Sequence, residues 1–330
     1  MELFNILFLL LVLLTFSRQK NNDAFSLRTM NVVKGIAIMG VFVGHASKEF
    51  LGVALYKLLC YVGLFSVSVF FFVSGYGLMY GALHKKDYRK GFLSKRIFPI
   101  VICYLVTCAL QWITDGFSCF SLKEVLLCDY TPFAWYVFSI IWLYLMFYLA
   151  MLITKRPIYI IMITATLLSI YAYTCYSLLG QLKGAVAMVT FVIGSCTAYW
   201  HNEGCNWLRG AVLAVLCIIF MLLYGVQLTD KYIHYPNILT RAYEPIVSYI
   251  FPFMAFGFMQ RLAIKRFEVI WDFFQRHSLQ IYLLHGIVMY RMIEWVKLPS
   301  EILVFLIFGV MIILSVMMNG ITNIIKTVVS

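Results

Sequence analysis

Residues 28–50 read RTMNVVKGIAIMGVFVGHASKEF, an apolar run of helix length with a basic start and a histidine far along it. Lys34 and His45 stand eleven residues apart. At about 3.6 residues per turn that is close to three whole turns, so both side chains share one helix face, with about 16 Å of axial rise between them. If Lys34 marks a membrane surface, His45 lies near mid-bilayer, where an ionisable group is costly and points to function. Glu49 follows His45 by four residues, where a carboxylate can orient an imidazole. Gly35, Gly40 and Gly44 let a neighbouring helix or a ligand come close. A hydrogen-bonded packing histidine beside an interfacial glutamate is the plainer alternative.

The rest of the chain agrees with a membrane setting. Of 330 residues, 63% are hydrophobic and 12% charged. A soluble domain carries about 25% charged residues, so this chain lacks the polar surface to stay in water. The formal charge of +12 comes from basic residues in short loops between apolar segments, which is how membrane orientation is set. Nucleic-acid signatures are absent, and the nine cysteines show no metal-binding spacing. Cys119 and Cys128 share one loop and are candidates for pairing or for remaining thiols.

Apolar segments fall near 30–47, 60–82, 97–114, 132–153, 157–179, 184–200, 211–228, 245–259, 279–297 and 302–325, and a shorter run occupies 3–16. The expected fold is an all-α polytopic bundle of ten transmembrane helices plus a short N-terminal helix. Residues 1–27 form that helix and its basic linker, and 28–330 the main transmembrane domain. Alternate loops hold eighteen of the 26 lysines and arginines on one side, which predicts that side, and the C-terminus with it, to be cytoplasmic. Trp112, Trp135, Trp200, Trp271 and Trp295 lie near segment ends, as an interfacial aromatic belt requires.

Two further groupings stand out. In HSLQIYLLHG, Ser278, Tyr282 and His285 follow an i, i+4, i+7 spacing and share a helix face, as either a hydrogen-bonding stripe or a site. In HKKDYRKGFLSKR, residues 84–96, six of thirteen positions are Lys or Arg. Such a loop enforces orientation, touches anionic lipid, or docks a polyanionic cytosolic ligand. P-loop, GxGxxG, GxSxG and HExxH patterns are absent.

Taken in order, these pieces resemble the membrane acyltransferase 3 family. Lys34, ten residues and His45 match its first-helix signature of a basic residue and a histidine. SVSVFFFVSGYGL, with Ser74, Gly75 and Tyr76, resembles its second-helix motif. KRIFPIVICY, starting at Lys95 and Arg96, resembles its basic-to-proline helix start. FAWYV resembles its tryptophan motif at Trp135, and SLQIYLLH its late Ser, Tyr and His motif. The likeness runs over roughly residues 28–290. The chain departs from the family in carrying Asn31 where an acid is usual, and Lys34 where arginine is common.

The resemblance implies transfer of an acyl group, most often acetyl from cytosolic acetyl-CoA, to a hydroxyl of a cell-surface or capsular polysaccharide or its lipid-linked precursor. Acetyl-CoA is then a substrate, with no bound cofactor or metal, and the setting is the inner (plasma) membrane. His45, Glu49 and His285 become the catalytic candidates. Arg28, Asn31, Lys34, Ser74, Tyr76, Lys95, Arg96, Trp135, Ser278 and Tyr282 become candidates for binding the acyl-CoA or acceptor. From the residues alone, a transporter or flippase with a histidine relay is the rival reading.

Overall fold

The structure is a computed structural model describing residues 1–18, 24–50, 59, 61–118, 120–179, 184–204 and 238–329. The expected span at 211–228 lies outside these residues, as does Cys119, and with it the choice between pairing with Cys128 and remaining a thiol. The chain is helical nearly throughout. Helix α1 (Glu2–Thr15) leads into a short strand β1 (Phe16–Arg18), then α2 (Leu27–Glu49), α3 (Val62–His84), α4 (Phe92–Arg96), α5 (Phe98–Thr114) and α6 (Leu122–Leu126). After these come α7 (Trp135–Ile153), α8 (Pro157–Leu179), α9 (Ala185–Asn202), α10 (Ile238–Met259), β2 (Leu262–Ile264), α11 (Glu268–Arg276), α12 (Ser278–Trp295) and α13 (Ser300–Val329).

Five of the described helices are long and apolar enough to cross a membrane, namely α2, α3, α7, α8 and α13, and three shorter apolar helices accompany them. The chain is therefore a multi-pass membrane protein, although these criteria stop short of the ten spans expected. Helices α9 and α12 have the length but also carry polar side chains: His201 and Asn202 in one, and Gln280, His285, Arg291 and Glu294 in the other. Those groups lower the apolarity of the helices that hold functional candidates.

Burial separates centre from periphery. The apolar windows of α2 and α3 are 72% and 78% buried, against 33% for α8 and α13. The outward faces of α7, α8 and α13 expose Leu149, Met162, Ile170 and Ile313, as lipid-facing helices do. Small residues allow the central helices to touch. A Cβ on Gly75 of α3 would strike the Phe191 carbonyl of α9, and one on Gly194 of α9 would strike the Phe72 carbonyl of α3. Gly44 of α2 faces Gly63 of α3 so closely that a Cβ would lie 2.6 Å from its backbone nitrogen. Backbone approach of this kind supplies the dispersion contact that holds helices together in lipid.

Helix α2 starts at Ser26, whose hydroxyl accepts the Thr29 N–H at 3.2 Å and satisfies a donor left free at the helix start. Helix α1 lies antiparallel to α2. Asn5 donates to Ser47 near the Glu49 end, while Thr15 accepts from the Trp271 indole at 2.7 Å near the Lys34 end. Strands β1 and β2 then pair antiparallel, the only sheet among the described residues. Trp271 is thus wholly buried and is no part of an aromatic belt. Trp295 is 59% exposed and fits that role.

Candidate functional site

Helix α2 is continuous from Leu27 to Glu49, so Lys34 and His45 do share one face. His45, however, is only four residues from the end of its helix, where Lys48 and Glu49 are exposed. That places it about 6 Å of axial rise from the Glu49 end rather than midway along the helix. It is half-buried.

Helix α12 brings His285 alongside, with 5.0 Å between the two imidazole centroids. His285 is fully buried, and its Nδ1 lies 2.5 Å from the Tyr282 carbonyl oxygen. A carbonyl only accepts, so Nδ1 carries the proton and Nε2 bears the lone pair. That Nε2 has no hydrogen-bond partner among the described residues. A buried acceptor left unmatched is expensive, and a hydroxyl arriving from a substrate would match it.

The residues before α7 roof the pair. Phe133 stacks on His285 at 5.1 Å and reaches His45 at 3.9 Å, centroid to centroid. Its backbone is left-handed, with φ 62°, a strained state for a bulky side chain and one that collects at functional sites. The turned backbone presents the Phe133 carbonyl to the Tyr282 hydroxyl at 2.8 Å. Gly286 makes room, since a Cβ there would lie 2.7 Å from Pro132 and 2.8 Å from the Phe133 ring.

From Tyr282 a line of hydroxyls leads towards the Lys34 end. Tyr136 packs on Tyr282 at 4.9 Å. The Ser74 hydroxyl interacts with the phenols of both Tyr136 and Tyr144. Tyr144 in turn lies within the field of Arg96 and Tyr88. Arg96 donates to the Tyr88 hydroxyl at 3.3 Å. With Lys85, Lys86, Lys90 and Lys95 they line a cavity of about 240 Å³. Lys34, half-buried, feels Arg96 and the Asp272 carboxylate. Ring contacts and electrostatic interactions thus relate the histidine pair, through the phenols, to the residues of the basic cavity.

Other expected residues lie elsewhere. The Glu49 carboxylate interacts with the Tyr290 hydroxyl, not with His45, because α12 offers a phenol to the face where it emerges. Tyr76 bonds His201 at 2.7 Å and stacks on Phe25, so it ties α3 to α9. Trp135 packs against Gly184, away from the histidines. Ser278 opens α12, half-buried, one turn before Tyr282. Arg28 forms a two-pronged pair with Glu268 at 2.7 and 2.6 Å, and its guanidinium holds that carboxyl below the ordinary range. The Asn31 side chain makes no hydrogen bond among the described residues. The sequence reading missed Tyr136 and Tyr144 as functional candidates, along with the Phe133 roof. The aromatic FAWYV contained two of these three, but nothing in it told a lining phenol from a packing ring.

Against this geometry the comparison with known families is specific. Residues 27–319 match the family described as an acyltransferase domain. The chain belongs to the membrane acyltransferase 3 family. No curated protein and no solved structure matches it. For this acyltransferase, membership favours group transfer over the transporter reading. The matched span includes both histidines and the basic loop, while α1 and β1 lie before it.

Proposed function

We propose that this acyltransferase moves acetyl from cytosolic acetyl-CoA to a hydroxyl of a surface or capsular polysaccharide, or of its lipid-linked precursor, in the plasma membrane. The observation that carries the reading is the buried Nε2 of His285, unmatched among the described residues and beside His45, with a line of phenols between it and the basic end of the bundle. In this reading the Lys34 end and the C-terminus face the cytosol, in keeping with the excess of basic residues on that side. The CoA phosphates meet Lys85, Lys86, Lys90, Lys95 and Arg96, and Lys34 stands at the head of the path. The pantetheine arm then follows Tyr144, Ser74, Tyr136 and Tyr282 over the roughly 16 Å separating Lys34 from His45. The phenols pack together, so admitting the arm requires rotamer changes at Tyr136 and Tyr282.

At the histidines the acceptor hydroxyl gives its proton to an imidazole as its oxygen attacks the thioester carbonyl. The C–S bond breaks, the proton passes to the departing sulfur, and ester and free CoA thiol result. His45 is the base, being the more accessible of the two, and His285 positions the acceptor by accepting through Nε2 a hydrogen bond from a second, non-attacking hydroxyl of the sugar. The acceptor arrives from the Glu49 end, from which His45 is the shorter distance.

Deleting the gene is expected to remove O-acetyl groups from the surface polysaccharide. Membranes containing the protein are expected to transfer label from [acetyl-¹⁴C]acetyl-CoA to that polysaccharide. Unchanged acetylation in the deletion strain would overturn the proposal. Replacing Lys85, Lys86, Arg89 and Lys90 by glutamine is expected to raise the KM for acetyl-CoA about tenfold or more with little change in kcat, since several phosphate contacts are lost. An unchanged KM accompanied by failed membrane insertion would assign those charges to topology instead.

A further inference from the structure

Lys34 has no acid on its own helix to work with. The position one turn before it, where a carboxylate would reach an ammonium, holds Asn31, whose side chain makes no hydrogen bond among the described residues. The acids come instead from α11, which follows the β2 strand and runs alongside the first turns of α2. Contact there is at backbone range, since a Cβ on Gly35 would strike the Trp271 carbonyl. That contact sets the register of the two helices. Glu268 meets Arg28 as a two-pronged pair, and Asp272, one turn further along α11 and next to the Trp271 carbonyl that abuts Gly35, is close enough for its charge to act on Lys34, although the two form no ion pair among the described residues. Asp272 is held from its other side by an ion pair with Arg276, and its side chain is 28% exposed. Trp271 is locked by its bond to Thr15, so α1 braces the same arrangement from behind.

Lys34 also lies within the field of Arg96, a like charge. Two cations close together at the head of a path repel each other unless a carboxylate stands near, and a carboxylate fixed by a helix register orients the lysine without neutralising the arginine. We propose that Asp272 is a positioning residue for Lys34, supplying from α11 the carboxylate that α2 lacks at Asn31, and so aims the ammonium at the donor phosphates. This rests on the donor reading given above for the basic end, but the pairing can be tested apart from it.

Four variants of the full-length protein in membranes decide the matter: Asp272→Asn, Lys34→Ala, the two combined, and Asp272→Asn combined with Asn31→Asp. Asp272→Asn is expected to raise the KM for acetyl-CoA about fivefold, the loss of one partially exposed charge–charge interaction, with kcat and thermal midpoint close to wild type. Adding it to Lys34→Ala is expected to cause no further rise, because both changes remove the same interaction. Asn31→Asp is expected to recover most of the loss, since an acid one turn before Lys34 reaches the same ammonium. A wild-type KM in Asp272→Asn, additive effects with Lys34→Ala, or failure of Asn31→Asp to rescue would each overturn the proposal. The second readout is independent of the donor. Modification of Lys34 by an amine-acylating reagent, followed by peptide mass spectrometry, is expected to quicken about threefold or more in Asp272→Asn and to return with Asn31→Asp. Unchanged labelling would overturn the pairing even if acetyl-CoA proves to be the donor. Altered and rescued labelling without any acetyl-CoA turnover in the wild type would uphold the pairing and count against the donor instead.

Discussion

His45→Ala is expected to lower acyl transfer about 100- to 10,000-fold, the range that one positioned acid–base group contributes. The imidazole is half-buried and makes no hydrogen bond among the described residues, so its removal leaves no partner stranded and the fold intact. His285→Ala is expected to lose activity to a similar degree but also some stability, because that ring is fully buried between Phe133 and Tyr282. If the two histidines work as one unit, the double variant is scarcely worse than either single one. The measurement is label transfer from acetyl-CoA in membranes holding equal amounts of each variant, with thermal midpoints taken in parallel. Wild-type transfer in His45→Ala would remove it from the chemistry.

Gly75→Val is expected to prevent assembly of the bundle. The glycine belongs to the Ser74–Gly75–Tyr76 motif, yet its role is packing: α9 passes so close that even one carbon would enter the Phe191 carbonyl. Overfilling a packed core costs about 1–3 kcal/mol where side chains can yield, and here the obstacle is backbone on both helices. Gly194→Val offends at the reciprocal contact with Phe72 and is expected to behave alike. Gly77, two residues further along α3, meets nothing within 4 Å of an added Cβ. Gly77→Ala is therefore expected to be neutral or to stabilise by roughly 0.5–1 kcal/mol through helix propensity. Size-exclusion profiles of the solubilised variants after a heating series separate the two cases. Equal behaviour of Gly75→Val and Gly77→Ala would show that the crossing is looser than described.

The legible part of the site was the part carried by single helices. Lys34 and His45 on one face, and Tyr282 with His285 on another, follow from helical period alone. Glu49 shows the limit of that reasoning. An i, i+4 spacing permits contact with His45, but the phenol of Tyr290 from α12 interacts with the carboxylate. Trp271 shows it again: its place near a segment end suggests a lipid interface, while α1 and Thr15 bury it.

By itself, then, the sequence determined the membrane class, the first-helix signature, the family and the clustering of basic charge, because each depends on local composition, spacing or the order of short motifs. Only the tertiary structure decided that His45 sits near one end of its helix, that His285 meets it under Phe133, and that α11 lies against the Lys34 end of α2. These contacts join residues far apart along the chain. They are set by where glycines let backbones touch and by how one left-handed turn aims a carbonyl, and no periodicity within a single helix encodes either.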